Sequence, residues 1–328
     1  MVLTSDNIRE RLAAVPLQTS GDYHRLGFRA MGTECRIDFS AGSESAAREF
    51  RGHILNWLAD YESRFSRFLP DSLISKINRS AGRCAVEIDD EAESLFKLCD
   101  WYHWLTKGVF DPSTLPTQLL WDYHRPRAEL PSDNDVKEAK ALTSWRAIER
   151  KPGSIYLPRE GMAIDLGGIG KEYAVDRTIE MARERGIANI LVDFGHDLRV
   201  SGSPPERGPW RIGLEDPRDS GKCWGGVALS DRAVCSSGNY LRFVEIDGRR
   251  YGHIVDPRIG LPVANSTLSA TAIAATCTEA GILSTVAFIL GGNEGVDFIR
   301  MSPQAEGCVW MEQGCISTGG FQSYVITK

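Results

Sequence analysis

The chain has 328 residues, of which 42% are hydrophobic and 25% charged, and it carries 32 glycines and a formal net charge of −6. At roughly 100–200 residues per domain this is one large domain or two small ones, and a chain of this size holds a core without disulfides or metal. The ordinary composition excludes a disordered, collagenous or coiled-coil protein, and the acidic balance leaves no electrostatic footprint for nucleic acid.

The first twenty residues, MVLTSDNIRERLAAVPLQTS, read as an N-terminal arm, mobile or briefly helical. They show no basic region followed by an apolar one and no lipobox-like cysteine. No run approaches the ~18 apolar residues that span a bilayer. The expectation is a cytoplasmic protein in which residues 21–328 form a single domain. Tyr23 to Ser40 alternates apolar and polar residues and predicts strands, with Met31-Gly32-Thr33 inside them. Phe50, Ile54, Trp57, Leu58, Tyr61 and Phe65 fall on one face of a 3.6-residue period and predict a helix ending near Leu69-Pro70. Asp71-Ser72 caps a short helix to Asn78, and Glu91 to Lys107 predicts a second amphipathic helix.

Residues 125–153 are polar, hold three prolines and are the best candidate for an internal linker, with a short capped helix in SDNDVKEAKAL. Beyond them two further helices are expected, Lys171 to Arg185 and Thr278 to Leu290, the latter capped by Thr278. Strands are expected at Ile190–Val200, Trp210–Leu214, Gly226–Leu229, Phe243–Ile246, Leu268–Ala274, Cys308–Met311 and Tyr324–Thr327. The eight cysteines form no CxxC pair and no Cys/His cluster with zinc spacing, so reduced thiols are expected.

Four segments carry residues fit for chemistry. In IDLGGIGKEYAVD (Ile164 to Asp176) an apolar run ends in paired glycines before a helix with Lys171 in its first turn. Free N–H groups and the positive end of a helix favour phosphate, and glycine lets a ligand approach the backbone. The segment matches neither a Walker A loop nor GxGxxG, and on shape alone phosphate binding and a plain tight turn stand level. SSGNYLRFVEIDGRRYGHIVDPRIGLPV (Ser236 to Val263) gathers hydroxyls, His253, Asp256 and Arg258 around a hairpin closed at Asp247-Gly248. His253 there is either a hydrogen-bonded strand residue or a general base. ATCTEAGILSTVAFILGG (Ala275 to Gly292) is an apolar helix in which Thr285 reads as a core hydroxyl bonded to the preceding turn. FDPSTLPTQLLW is a proline-rich turn carrying Asp111 and Ser113.

Together these segments resemble the ApbE family, the FAD:protein FMN transferases. SRFLPDSLISKIN is similar to the family's pDSe-x-s-x-lN, FDPS to FDPT, and IDLGGIGKEYAVD to DLGGIAKGYAVD. WRIGLEDPR is similar to W-x-[IV]-G-[IL]-x-x-P, and SSGNY…HIVDPRIGLPV to TSGDY…HIIDPRTGxP. The order holds from Met31 to the C-terminal strands. The resemblance implies an α+β fold of mixed, largely antiparallel sheets with helices packed outside and an FAD cleft between loops. It implies Mg²⁺-dependent transfer of FMN from FAD to a threonine or serine of an acceptor protein, with release of AMP; some members hydrolyse FAD instead. By the same resemblance Gly167, Gly168 and Lys171 line the FAD phosphate site. Met31, Phe68, Ser72, Asp111, Ser236, Ser237 and Gly238 belong to the cofactor cleft. His253 is the base or orienting group, with Asp256 and Arg258 building its turn. The metal is left with the Gly170 carbonyl and Thr285.

The sequence departs from the family around that metal. Gly281 stands where the family keeps an aspartate ligand, and a hard divalent cation wants carboxylate oxygen. Glu279 is two residues away and points elsewhere on a helix. Glu172 replaces the glycine after the lysine, His196 replaces the second glycine of G-G-D, Ile259 replaces a threonine and Asn239 an aspartate. His196 is read as a turn residue, as a filler of phosphate space or as a substitute ligand. These changes leave other readings open: a diverged FAD- or nucleotide-binding homologue with weak or no transfer, an FAD pyrophosphatase, or a structural protein that lost its ligand. Gly281→Asp is expected to tighten Mg²⁺-dependent FAD binding. The family's acceptor motif, D-[GA]-x-[ST]-G-A-[ST], is absent, so self-flavinylation is not expected.

Overall fold

A computed structural model describes residues 4–122, 129–206, 208–240 and 242–326. Its centre is a nine-stranded sheet, in spatial order 18–20, 23–30, 33–40, 190–194, 197–201, 233–238, 267–274, 306–311 and 314–317. Every pairing in it is antiparallel. Three helices, Glu44–Phe65, Gly170–Glu184 and Cys277–Leu290, cover one face. A second, three-stranded sheet of Trp210–Asp216, Asp219–Leu229 and Val325–Ile326 covers part of the other. There Leu191, Val200, Val234 and Ile273 meet Trp210, Leu214, Val227 and Phe321. Burial on both faces explains why Asp197–Ser201 is buried at every position, where a half-exposed strand would alternate. The α+β class and the predominantly antiparallel sheets are as the sequence resemblance implied.

The long helix begins at Glu44, earlier than its apolar stripe, because the Ser43 hydroxyl accepts the Ala46 N–H. It buries Phe50, Ile54, Leu58, Tyr61 and Phe65, each worth about 1.5–3 kcal/mol of apolar transfer. The N-terminal arm is not loose. Helix Ser5–Ala13 inserts Ile8 and Leu12, both fully buried, into the main core, and Arg51 donates to the Ala13 and Val15 carbonyls behind it. The region read as a linker is anchored too. Trp145 is buried, donates its indole N–H to Asp100 at 2.8 Å, and follows a helix, Asp133–Ala141, closed by a capping box at Ser132. Residues 125–128 of that region lie outside the described residues.

Other expectations shift in detail. Ile190–Val200 is two strands folded about Gly195-His196. Helix Cys277–Leu290 is capped by Thr276, whose side chain accepts the Glu279 N–H, and not by Thr278. A third late helix, Gly292–Arg300, was not anticipated, because Gly291 and Gly292 read as a stop and the chain instead turns through them at φ +71° and +46°. Among the described residues the last strand covers Val325–Ile326, without Tyr324, and Thr327 is outside them. No helix among the described residues is long and apolar enough to cross a membrane.

Candidate active site

Loops from one end of the sheet, together with the ends of two helices, enclose an open cleft of about 1660 Å³. Met31, Phe68, Asp111, Gly167, Gly168, Gly170, Lys171, Ser236, Ser237, Gly238, His253 and Thr285 all line it. The tertiary fold thus brings together residues spread over 250 positions of sequence. Ser72, Asp256 and Arg258 are not on its wall.

The glycine turn is the most open part. Gly167 and Gly168 are exposed and lie outside the left-handed region. A Cβ at Gly168 would meet only Phe110, at 3.6 Å. At Gly167 a Cβ would press on Asp165 Oδ2 at 3.1 Å, but at Gly168 neither backbone angle nor crowding calls for glycine, so its bare backbone is open to a ligand. Behind it helix Gly170–Glu184 starts at Ile169 with no side-chain cap. The Gly170 N–H is taken by the Leu166 carbonyl at 2.6 Å and the Tyr173 N–H by the Ile169 carbonyl at 2.9 Å, so in the first turn only the Lys171 and Glu172 N–H groups lack a backbone carbonyl partner, at the positive end of the helix. Phe68, 57% exposed, presents an aromatic face beside them, with the Arg67 guanidinium 4.1 Å above its ring.

Lys171 is not a lone cation waiting for phosphate. Its ammonium is ion-paired with Asp197 and lies 3.5 Å from Glu172 Oε1. Burial disfavours its charge, yet those two carboxylates outweigh burial and raise its pKa. Glu172 is itself buried. Burial pushes its carboxyl up to about 7, against the pull of Lys171 and with Asp197 adding to the rise. The Gly170 carbonyl accepts the Tyr61 hydroxyl at 2.9 Å. Glu172, Asp197 and Tyr61 had not been singled out as site residues. Lys171 and Glu172 are adjacent in sequence, but Asp197 arrives on the neighbouring strand hairpin, which local pattern could not reveal.

The opposite wall is built from hydroxyls. Ser236 bonds Thr271 at 2.8 Å, and Ser237 bonds Ser284 at 2.9 Å and Thr285 at 3.0 Å. Thr285 therefore turns to the strand and not back to its own preceding turn; it is Ser284 that donates to the Gly281 carbonyl. Glu279, as expected, points away, to Ser302.

His253 follows the hairpin Phe243–Ile246/Arg249–Gly252, whose turn is Asp247-Gly248 as expected. Its Nδ1 lies 3.2 Å from the Arg242 carbonyl. A carbonyl only accepts, so Nδ1 carries the proton and the lone pair is on Nε2. Burial, reinforced by the nearby Arg242 charge, pushes the imidazole down to about 4, against the backbone bond. The ring is neutral at physiological pH. Asn239 accepts from Ile254 N–H at 3.3 Å and occupies the space a side chain at Gly252 would need, 1.9 Å from that Cβ position. Gly252 is thus the residue that lets Asn239 lock the His253 segment to the wall.

Three expected site residues lie off the cleft wall. The Ser72 hydroxyl accepts the Ser75 N–H as the cap of helix Leu73–Arg79, and Ser72 is 2% exposed. Asp256 holds Arg258 through its backbone N–H and a forked guanidinium contact at 2.7–3.2 Å. Its backbone carbonyl accepts Gly260 N–H. The pair shapes the turn after His253 and is positional. Asp111 lines the cleft, but its carboxylate is engaged by Ser113, 2.8 Å from its backbone N–H, and by Trp145 N–H at 3.2 Å. His196 lines the cleft from a turn in which it sits at φ +72°, its N–H donating to Asp193. It is a turn residue at a left-handed position.

Among the described residues no three His, Cys, Asp or Glu side chains come close enough to make a metal site alone. The cleft wall carries buried carboxylates, among them Glu172, together with hydroxyls and the Gly170 carbonyl, the oxygen donors that a hard divalent cation takes alongside ligand phosphate. Glu172 Oε2 is buried without a hydrogen-bond partner, so this set fits such an ion.

Bare glycine backbone at a helix start without a side-chain cap, the exposed Phe68 ring and the His253 imidazole thus line one cleft on an antiparallel α+β frame. The ApbE family model matches residues 31–309. The chain is 28% identical over 290 residues to the FAD:protein FMN transferase of Treponema pallidum, covering 83% of this chain and 80% of that one. It is 29% identical to one from Klebsiella pneumoniae, covering 73% and 75%. The ApbE protein of Thermotoga maritima superposes with a TM-score of 0.83 at 32% identity, over 92% of this chain and 99% of that one. The flavin transferase ApbE of Vibrio cholerae, at 23% identity, shares the fold with a TM-score of 0.82 over 94% and 100%. The chain belongs to the ApbE family, as its motifs implied, and is an enzyme of the transferase class.

Proposed function

We propose that this protein binds FAD in the cleft and, with a divalent cation such as Mg²⁺, transfers its FMN half to a threonine or serine hydroxyl of an acceptor protein, releasing AMP. The observation that carries this reading is the placement of Gly167-Gly168 and the uncapped start of helix Gly170–Glu184 in one cleft with the neutral His253.

In this reading the Lys171 and Glu172 N–H groups at the start of that helix hold the pyrophosphate, and Phe68 stacks on a ring of the cofactor. When bound, the cation neutralises charge that builds on the phosphate oxygens. Gly170 O, Thr285 Oγ1 and the carboxylate nearest them would hold it. The acceptor hydroxyl oxygen bonds to the flavin-side phosphorus. The bond from that phosphorus to the bridging oxygen breaks, and AMP leaves with that oxygen. The hydroxyl proton passes to Nε2 of His253, whose depressed pKa keeps it able to accept at neutral pH. The Asp256–Arg258 turn and Asn239 position that ring.

The test is incubation with FAD, Mg²⁺ and a candidate acceptor domain. AMP release together with flavin fluorescence that stays on the denatured acceptor is the expected result. AMP and FMN without labelled protein would identify a pyrophosphatase. FAD retained without AMP would overturn the transfer reading in favour of a binding protein.

A further inference from the structure

Position 281 lacks the carboxylate that the family resemblance places there, and the adjacent helix supplies one in the same space. A Cβ built on Gly281 would lie 2.6 Å from Glu172 Cγ and 3.2 Å from both Cδ and Oε1. The Glu172 side chain therefore fills the volume that any side chain at 281 would enter. Glu172 is 6% exposed. Its Oε2 has no hydrogen-bond partner, and its Oε1 lies 3.5 Å from the Lys171 ammonium, which is also paired with Asp197. Two carboxylates thus share one ammonium. A buried carboxylate oxygen left without a donor, on a group that shares its one counter-charge, is costly unless a further cation belongs beside it. Thr285 lies one helical turn beyond Gly281, on the same face, and lines the same cleft as Glu172.

We propose that Glu172 is the carboxylate ligand of the divalent cation in this protein, reaching from helix Gly170–Glu184 into the space vacated at Gly281 on helix Cys277–Leu290. The carboxylate has crossed from one helix to the other, and the two positions form a reciprocal pair: a side chain at 172 requires glycine at 281. This inference rests on the cation-dependent reading above. It also revises the expectation for Gly281→Asp, which alone collides with Glu172 and does not improve the site.

The test is titration with Mn²⁺ as the probe, followed by its electron paramagnetic resonance signal, on the full chain with FAD present. Glu172→Gln, nearly isosteric, is expected to weaken Mn²⁺ at least tenfold. Glu172→Gly combined with Gly281→Asp is expected to return affinity to within about threefold of the wild type, because the second carboxylate then has room. FAD affinity in chelator, which should change less than threefold, checks that the cleft is intact in each variant. If Glu172→Gln binds Mn²⁺ as tightly as the wild type, the assignment of Glu172 is overturned and the transfer reading stands. If the wild type itself takes up no Mn²⁺, the cation-dependent reading falls together with it.

Discussion

Asp176 and Thr278 join the two helices that carry the site. One oxygen of the Asp176 carboxylate accepts the Thr278 N–H at 2.9 Å and its hydroxyl at 2.7 Å, and the other accepts Cys277 N–H and Arg199, both at 2.8 Å. All of these groups are buried. The carboxylate also sits at the N-terminus of helix Cys277–Leu290, where negative charge is favoured. Helix Gly170–Glu184, bearing Lys171 and Glu172, is thereby fixed against the helix bearing Gly281 and Thr285. Asp176→Ala removes the clamp and strands the buried Arg199 charge. A loss of about 3–5 kcal/mol is expected by denaturant unfolding. A loss below about 1 kcal/mol would mean apolar packing alone holds the two helices.

Ser72 separates two roles that sequence similarity merges. As a helix cap its removal costs about 1 kcal/mol of stability. Ser72→Ala is expected to lower the melting temperature by a few degrees, with FAD affinity following only as far as stability does. A loss of FAD affinity larger than the loss of stability would return Ser72 to the cleft.

The depressed pKa of His253 makes two pH predictions. The folded chain holds the ring near 4, the unfolded chain near ~6.5. Between those values the unfolded state binds more protons, so this residue's contribution is fully present above about 6.5 and is lost as pH falls toward 4. Relative to His253→Gln, the wild type should lose stability through that window. The acid limb of kcat/KM that belongs to His253 should lie below about pH 5, and an acid limb near 6.5 that disappears in His253→Gln would show the ring to be solvated. His253→Gln should slow transfer by about 10²–10⁴-fold, the usual worth of a positioned base.

His196 occupies the left-handed region at φ +72°, beside Gly195 at φ +69°. Such a conformation costs an L-residue roughly 1–2 kcal/mol, part of which glycine would recover and part of which it would lose to unfolded-chain entropy. His196→Gly is therefore expected to raise stability by about 0.5–1 kcal/mol by thermal melt, with FAD affinity unchanged or improved. Gly195 permits no such exchange, since a Cβ there would lie 2.4 Å from Thr33 Oγ1.

Periodicity and punctuation alone determined most of the local elements of this chain. The helices at Phe50–Phe65, Glu91–Lys107 and Lys171–Arg185, and the Asp247-Gly248 hairpin, were legible because apolar spacing and turn chemistry act within a few residues. Motif order likewise carried the family and the cleft residues from Met31 to Thr285. Tertiary structure decided what each polar group does once it is buried. Lys171 was spent on Asp197, Ser72 on a helix end, Asp111 on its own turn, and Asp176 on a neighbouring helix. Buried polar groups must find partners wherever the fold places them, whether two or three residues away, as for Asp111 and Ser72, or 26 and 102 away, as for Lys171 and Asp176. Gly281 shows the same limit most sharply. In sequence it is a missing ligand; in three dimensions it is the space into which Glu172 fits.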